Sequence, residues 1–274
     1  MVLDCKYQSA GERKISLIVG GCDVGSLTAK AVLLNEDKIL ATSLIRVRPT
    51  PLESATVVMQ QALQSAGVKL EQLECCCATG YGRFDIPFAQ MNLSEISCHG
   101  MGAFWLNNSI RTVIDIGGQD CKVIALDGQG AITEFAMNDK CAAGTGRVLE
   151  MLSKTLDLEL NQLGPCALKS RKPQDINNKC SIFMELEVLN HLYHRKKVKD
   201  IACGVCDAVA KRVAGLARGI CLEEKICITG GVSKNVGVVK RLEKTLDVKF
   251  TRLPFDSQLM GALGAAVLAM KSRS

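Results

Sequence analysis

Cys22-Asp23-Val24-Gly25-Ser26-Leu27-Thr28-Ala29-Lys30-Ala31-Val32-Leu33-Leu34 returns 92 residues later as Ile114-Asp115-Ile116-Gly117-Gly118-Gln119-Asp120-Cys121-Lys122-Val123-Ile124-Ala125-Leu126. Aspartate, glycine, lysine and a trailing apolar run fall in register in the two copies. Each copy is preceded by an apolar run (Ile15 to Val19; Thr112 to Ile114) and followed by a turn and a short strand (Lys38 to Thr42; Ala131 to Phe135). The pattern is strand, glycine turn, strand, turn, strand, and it occurs twice. Between the copies, Ser54 to Ala66 has the spacing of an amphipathic helix and Cys75 to Ala78 reads as a short strand. A duplicated β-meander with helices predicts an α/β protein of two similar lobes.

The repeated turn carries chemistry. Gly25, Gly117 and Gly118 let the backbone approach a ligand closely, and bare N–H groups there form an anion cradle. Asp23 and Asp115 sit at strand-to-turn junctions, where a carboxylate can hold Mg²⁺, often through water, against bound phosphates. One Asp-x-Gly turn is also what an ordinary hairpin shows; two in register favour nucleotide binding. A third glycine element follows in Lys225-Ile226-Cys227-Ile228-Thr229-Gly230-Gly231-Val232, a strand entering a Gly-Gly turn, with Ser233-Lys234-Asn235 opening the next helix. Such a junction accepts a flat ring such as adenine, and it equally serves tight packing.

The combination resembles the actin-like ATPase superfamily, in which two phosphate loops and an adenosine turn clamp ATP between duplicated domains. The resemblance implies an actin-like (ribonuclease H-like) two-lobe α/β fold with the nucleotide cleft between the lobes. It assigns Asp23 and Asp115 catalytic roles. The first phosphate loop, Asp23 to Lys30, would bind nucleotide through Gly25, Ser26, Thr28 and Lys30. The second, Asp115 to Lys122, would use Gly117, Gly118, Gln119 and Asp120, and the adenosine turn Gly230, Gly231 and Asn235. The C-terminal helix of that fold returns to the first lobe, a role that suits Ser257 to Met270, where Gly261 and Gly264 permit close packing. The expected organisation is 15–108 plus 252–274 as one lobe and 109–251 as the other, with residues 1–14 a disordered leader.

The chain has 14 cysteines. Two of them, Cys141 and Cys180, each precede a predicted helix. The first is marked by Val148, Leu149, Leu152 and Leu156 on its buried side, the second by Ile182, Leu186, Leu189 and Tyr193 at helical spacing. A helix N-terminus stabilises a thiolate and an anionic ligand set, although a capping or core cysteine occupies the same position. Cys203-Gly-Val-Cys206 imitates a zinc or redox motif, but Cys206 continues an apolar helical stripe through Val209, Val213, Leu216 and Ile220, so both read as core. Cys75-Cys76-Cys77 alternate across a strand and cannot converge on one metal, and His99 beside Cys98 reads as structural. The basic clusters 169–172 and 194–199 read as a solvated face.

The surrounding sequence is more specific. Cys141-Ala-Ala-Gly-Thr-Gly-Arg147 and Cys180-x-x-Phe183-x-Glu185-x-Glu187-Val188 resemble the ATP-dependent activators of 2-hydroxyacyl-CoA dehydratases and the related benzoyl-CoA reductase ATPase subunits. Ala78-Thr-Gly-Tyr-Gly-Arg83, Glu95-x-x-x-His99, Asp115-Ile-Gly-Gly-Gln-Asp120 and Gly230-Gly-Val-x-x-Asn235 extend the likeness from about residue 15 to 269. The resemblance implies that Cys141 and Cys180, four thiolates across a homodimer, hold one [4Fe–4S] cluster. It also implies ATP with Mg²⁺, a ferredoxin or flavodoxin as electron donor, and delivery of a low-potential electron to a dehydratase-like iron–sulfur partner. Two rival functions share parts of this pattern. A small-molecule kinase of the same fold would need a general base in a substrate lobe, which the sequence does not display, and would leave Cys141 and Cys180 without a role. A nucleotide-dependent iron–sulfur sensor or scaffold would need no dehydratase.

Composition agrees with a globular chain: 47% of its 274 residues are apolar and 23% charged, which excludes disordered and fibrous classes. Eleven aromatic residues are too few for base-stacking platforms, and a net charge of +6 is spread along the chain, so no nucleic-acid partner is expected. The longest apolar run, Leu259 to Met270, is too short to span a bilayer, and no signal segment opens the chain. No membrane association and a cytoplasmic location are expected, where abundant cysteine means small buried hydrophobes or metal ligands.

Overall fold

In the computed structural model, residues 17–36, 38–138 and 140–273 are described; the leader expected at 1–14 lies outside them. The first copy of the repeat forms β1 (Ile18–Val24), β2 (Thr28–Asn35) and β3 (Lys38–Arg46), an antiparallel meander. α1 (Pro51–Ala66) follows, opened by the Thr50 hydroxyl accepting from Glu53 N–H and closed by Gly67 in the left-handed region. β4 (Cys75–Thr79) then runs parallel to β1, and short β5 (Met91–Asn92) lies at the edge. The crossover helix α2 (Glu95–Leu106), capped by Ser94, leads to the second copy: β6 (Thr112–Ile116), β7 (Cys121–Leu126) and β8 (Ile132–Asn138). Four helices intervene, α3 (Gly146–Thr155), α4 (Leu160–Leu168), α5 (Ser181–Tyr193) and α6 (Val198–Ala217), before β9 (Ile226–Thr229) pairs parallel to β6. α7 (Val236–Leu246) and α8 (Met260–Lys271) close the chain.

The duplication holds residue by residue. The sheets are ordered β3-β2-β1-β4-β5 and β8-β7-β6-β9, so in each a three-stranded meander is joined by a parallel strand beside its first member. Asp23 pairs with Lys30 across one hairpin and Asp115 with Lys122 across the other. Gly25 N–H donates to the Thr28 carbonyl at 3.1 Å, and Gly117 N–H to the Asp120 carbonyl at 2.9 Å.

β1 and β4 are buried along nearly their whole length because helices cover both faces of their sheet. The three consecutive cysteines show this. Cys76 packs with the α1 residues Val58 and Met59, while Cys75 and Cys77 pack on the other side with Leu263 and Ala266 of α8. α8 lies on β1, β2, β4 and α2, the return to the first half that the actin-like resemblance implies. A Cβ on Gly264 would overlap the Cys98 carbonyl oxygen of α2, so the α2–α8 crossing admits no side chain there. The second half buries Val148, Leu149 and Leu152 of α3 with Cys203, Cys206 and Val209 of α6 in one core, as their periodicity predicts.

α5 differs from expectation. Its helix is present, but the stripe that marks it faces outward: Ile182, Leu186 and Tyr193 are 66%, 56% and 84% exposed, while Met184 and Val188 face the core. A 3.6-residue period identifies an apolar face without identifying what covers it. Burial here belongs to the narrower face that meets α3 and α6.

Candidate active site

The two hairpin turns face one another across a cavity of about 630 Å³. The first turn contributes Asp23, Gly25, Ser26, Thr28 and Lys30 to its wall, and the second contributes Asp115, Gly117, Gly118 and Asp120. The loops are in contact, since a Cβ on Gly118 would lie 2.7 Å from Leu27 Cγ and 2.9 Å from Ser26 Oγ. Gly230, Gly231 and Asn235 close a further side. Gln119 is the exception among the expected binding residues: it is exposed and does not line the cavity.

Each aspartate is held by its own hairpin. Lys30 Nζ lies 3.0 Å from Asp23 Oδ2, both nearly buried. Lys122 Nζ lies 3.3 Å from Asp115 Oδ2 and also contacts Asp120. Burial opposes ionisation of Asp115, but His99, Lys122 and the Thr229 hydroxyl together hold its carboxyl below the usual carboxylate range. Burial likewise opposes the charge on Lys122, yet Asp115 and Asp120 keep its ammonium above the ordinary lysine range. The cavity therefore presents fixed carboxylates, buried ammonium groups and close-approach glycine turns, a lining suited to a polyphosphate with a divalent cation.

The parallel strands bring matching turns to the same place. Thr79 stands beside Asp23 and Thr229 beside Asp115, each followed by a glycine in the left-handed region: Gly80 at φ +85° and Gly230 at φ +82°. Asn235 caps α7, its Oδ1 accepting from Gly237 N–H and Val238 N–H. Its Nδ2 is buried without a hydrogen-bond partner among the described residues, an orphan donor beside the cavity of the kind a polar ligand satisfies.

Among the cavity residues outside the predicted set are two on the crossover helix. Glu95 and His99 stand one turn apart on α2 and both line the cavity. Glu95 Oε2 lies 3.3 Å from Arg83 Nη1. His99 Nδ1 lies 3.0 Å from Thr229 Oγ1 and 3.2 Å from Asp115 Oδ1, so it has a place in the site that a structural reading does not capture. The i, i+4 spacing of Glu95 and His99 was the available signal.

Cys141 and the segment that carries Cys180 come together. Each cysteine occupies the N-cap position of a helical segment, 142–144 and α5, with no side-chain capping bond, and each is half-buried. Cys141 Sγ approaches the carbonyl of Lys179, the residue before Cys180, at 3.6 Å. The segment leading from Cys141 reaches the cavity within a few residues: Gly146 N–H donates to the Gly117 carbonyl at 2.9 Å and Arg147 N–H to the Gly118 carbonyl at 2.8 Å. Among the described residues, no three or more metal-ligating side chains converge. Cys203 and Cys206 are buried in the core, and burial pushes the Cys206 thiol up to about 12.

A family pattern, described as the BadF/BadG/BcrA/BcrD ATPase family, matches residues 21–269. The chain belongs to that family. It is an ATP-hydrolysing enzyme with the actin-like α/β fold. The ATPase is 40% identical over 253 residues to the activator of lactoyl-CoA dehydratase from Anaerotignum propionicum, covering 92% of this chain and 97% of that one. The crystal structure of (R)-2-hydroxyglutaryl-CoA dehydratase component A from Acidaminococcus fermentans superposes with a TM-score of 0.90 at 39% identity, covering 94% and 99% of the two chains. The activator of 2-hydroxyisocaproyl-CoA dehydratase from Clostridium difficile, solved with bound ADPNP, superposes with a TM-score of 0.89 at 36% identity, covering 93% and 95%. No helix among the described residues is long and apolar enough to cross a membrane.

Proposed function

We propose that this ATPase is an iron–sulfur electron activator. It couples ATP binding and hydrolysis to transfer of a low-potential electron onto a partner 2-hydroxyacyl-CoA dehydratase or a related reductase. The relatives named as dehydratase activators support the partner class. The observation that carries the reading is the short covalent path from Cys141 to Gly146, whose N–H is bonded to the second phosphate loop.

Asp23 and Asp115 would hold Mg²⁺ against the phosphates, while Lys30 and Lys122 fix the two carboxylates. The glycine turns face the phosphate oxygens, and Gly230, Gly231 and Asn235 face the adenosine. The thiol pair would fit half of a [4Fe–4S] ligand set, since both cysteines are half-buried, Cys141 Sγ lies 3.6 Å from the carbonyl of the residue before Cys180, and each stands at a helical N-cap whose N–H groups favour an anionic group. A second copy of the chain supplies the other two thiolates across a two-fold axis. When bound there, the cluster provides a one-electron carrier of low potential. The exposed apolar residues beside Cys180, Ile182 and Phe183, give this end of α5 a surface suited to cover by protein. Movement of the lobes, 15–108 with 252–274 against 109–251, reaches Cys141 through Gly146 and Arg147. The donor is a ferredoxin or flavodoxin, and the location is the cytoplasm.

Anaerobic preparation tests the assignment. The protein is expected to be brown and dimeric, with about two iron and two sulfide atoms per chain, as one cubane shared by two chains requires. A colourless, iron-free protein that still hydrolyses ATP would contradict it.

A further inference from the structure

The duplicated halves differ in what the covering helix places beside each turn aspartate. α2 and α8 cross through matching glycines: a Cβ on Gly102 would lie 2.6 Å from the Met260 carbonyl oxygen, and one on Gly264 would overlap the Cys98 carbonyl oxygen. This correspondence sets Cys98 against Met260, and so His99 against Gly261. Beside Asp23, α8 presents a residue without a side chain, and a Cβ there would stand 2.8 Å from Asp23 Oδ2. Beside Asp115, α2 presents an imidazole.

The hydrogen-bond inventory fixes how that imidazole is used. The Thr229 hydroxyl gives its one hydrogen to Asp115 Oδ1 at 2.9 Å, and an ionised carboxylate only accepts. The hydrogen between His99 Nδ1 and this pair is therefore on Nδ1, shared between Thr229 Oγ1 and Asp115 Oδ1. Nε2 lies on the opposite edge of the ring, 2.9 Å from the point a Gly261 Cβ would occupy, toward Asp23. The ring joins the crossover helix of the first half to β6, which leads into the second phosphate turn. It also joins it to β9, which leads into Gly230-Gly231. With Lys122 Nζ on Oδ2, both oxygens of Asp115 are fixed, one by its own hairpin and one by α2.

We propose that His99 is a positioning residue for ATP hydrolysis: its Nδ1–H ties the Asp115 carboxylate and Thr229 to the crossover helix, so that closing the halves on the nucleotide and aligning Asp115 with the phosphates are one movement. This rests on the reading of the cavity as the nucleotide site. The first half has Gly261 in the matching place, and its Asp23 is paired with Lys30 of its own hairpin.

The test compares wild type with His99→Ala, His99→Asn and His99→Gln. Each is assayed for Mg²⁺-ATP hydrolysis, affinity for a non-hydrolysable ATP analogue, analogue-induced contraction in small-angle scattering, and thermal unfolding. Asparagine places an N–H near the Nδ1 position and nothing at Nε2; glutamine does the reverse. Groups that orient a ligating carboxylate typically contribute tenfold to a hundredfold in activity, so His99→Ala is expected to lower kcat by roughly that factor with KM little changed. Contraction should be lost in alanine, and asparagine should recover both kcat and contraction where glutamine does not. Should His99→Ala fail to fold, the asparagine–glutamine comparison decides alone. Wild-type kcat in His99→Ala, or recovery by glutamine and not asparagine, overturns the proposal. Analogue binding that survives both Asp23→Asn and Asp115→Asn removes the site reading and this inference with it. Unchanged kcat in His99→Ala while the aspartate variants lose binding removes only the inference.

Discussion

Cys141→Ser or Cys180→Ser is expected to abolish bound iron and sulfide in anaerobically prepared protein, while Cys203→Ser and Cys206→Ser retain both. The expected effect is near all-or-none because each chain contributes two of four thiolates, so one substitution removes half the ligands from a shared cubane. Chemistry and position separate the two pairs. Cys141 and Cys180 are partly exposed at adjacent helical N-caps, whereas Cys203 and Cys206 lie within the α6 core, with Arg241 Nη2 2.7 Å from the Cys203 sulfur. Burial also pushes the thiols of Cys121 and Cys227 up, to about 11 and about 12, so these remain protonated hydrophobes at neutral pH. Iron analysis of the four variants beside wild type is the check. Loss of iron from the Cys203 or Cys206 variant alone would reassign the ligands.

Asp115→Asn should reduce Mg²⁺-dependent ATP hydrolysis by roughly tenfold to a hundredfold, the range for a group that acts on a metal through an intervening shell. Asp23→Asn should do the same, and the double variant should be nearly inactive. The two differ in their effect on folding. Lys122 keeps Asp120 when Asp115 is neutralised, but Lys30 is left facing an amide when Asp23 is, and breaking a buried ion pair from one side costs about 3–5 kcal/mol. Asp23→Asn is therefore the less stable variant. Hydrolysis measured below both unfolding temperatures separates catalysis from stability, and normal turnover in both variants would show that the turns are ordinary hairpins.

Much of this was legible because the repeat constrains register. Aspartate and lysine recur in register around a glycine turn, and the structure sets them opposite each other across a hairpin in both copies. Gly264 was legible as a packing glycine through the fold resemblance, and the triple cysteine as core from strand alternation. What escaped depends on tertiary context. Outward exposure of Ile182, Leu186 and Tyr193 reflects which face α3 and α6 leave free. His99 looks like an isolated core histidine until β6 and β9, far from it in sequence, bring Asp115 and Thr229 to its Nδ1. Gln119 shares the repeat with its neighbours, yet the turn points it to solvent.

The proposed function requires the nucleotide site to be coupled to the site of Cys141 and Cys180. The physical connection is short: carbonyls of Gly117 and Gly118 in the second phosphate loop are bonded to Gly146 and Arg147, and that segment begins at Cys141. The Asn138 side chain, at the end of β8, also donates to the Cys141 carbonyl at 2.9 Å, so the cysteine is anchored to the same sheet. On the proposed reading, these bonds carry a change in the loop on ATP binding to the thiol. Linkage makes this reciprocal: whatever ATP does to the oxidised–reduced equilibrium, reduction must do to ATP affinity.

An anaerobic redox titration with and without a non-hydrolysable ATP analogue measures that coupling directly. A coupling of about 1–3 kcal/mol corresponds to a shift of roughly 40–130 mV for a one-electron carrier, and a shift of that size is the predicted result. Superimposable titration curves, with the analogue shown to be bound, would contradict the account.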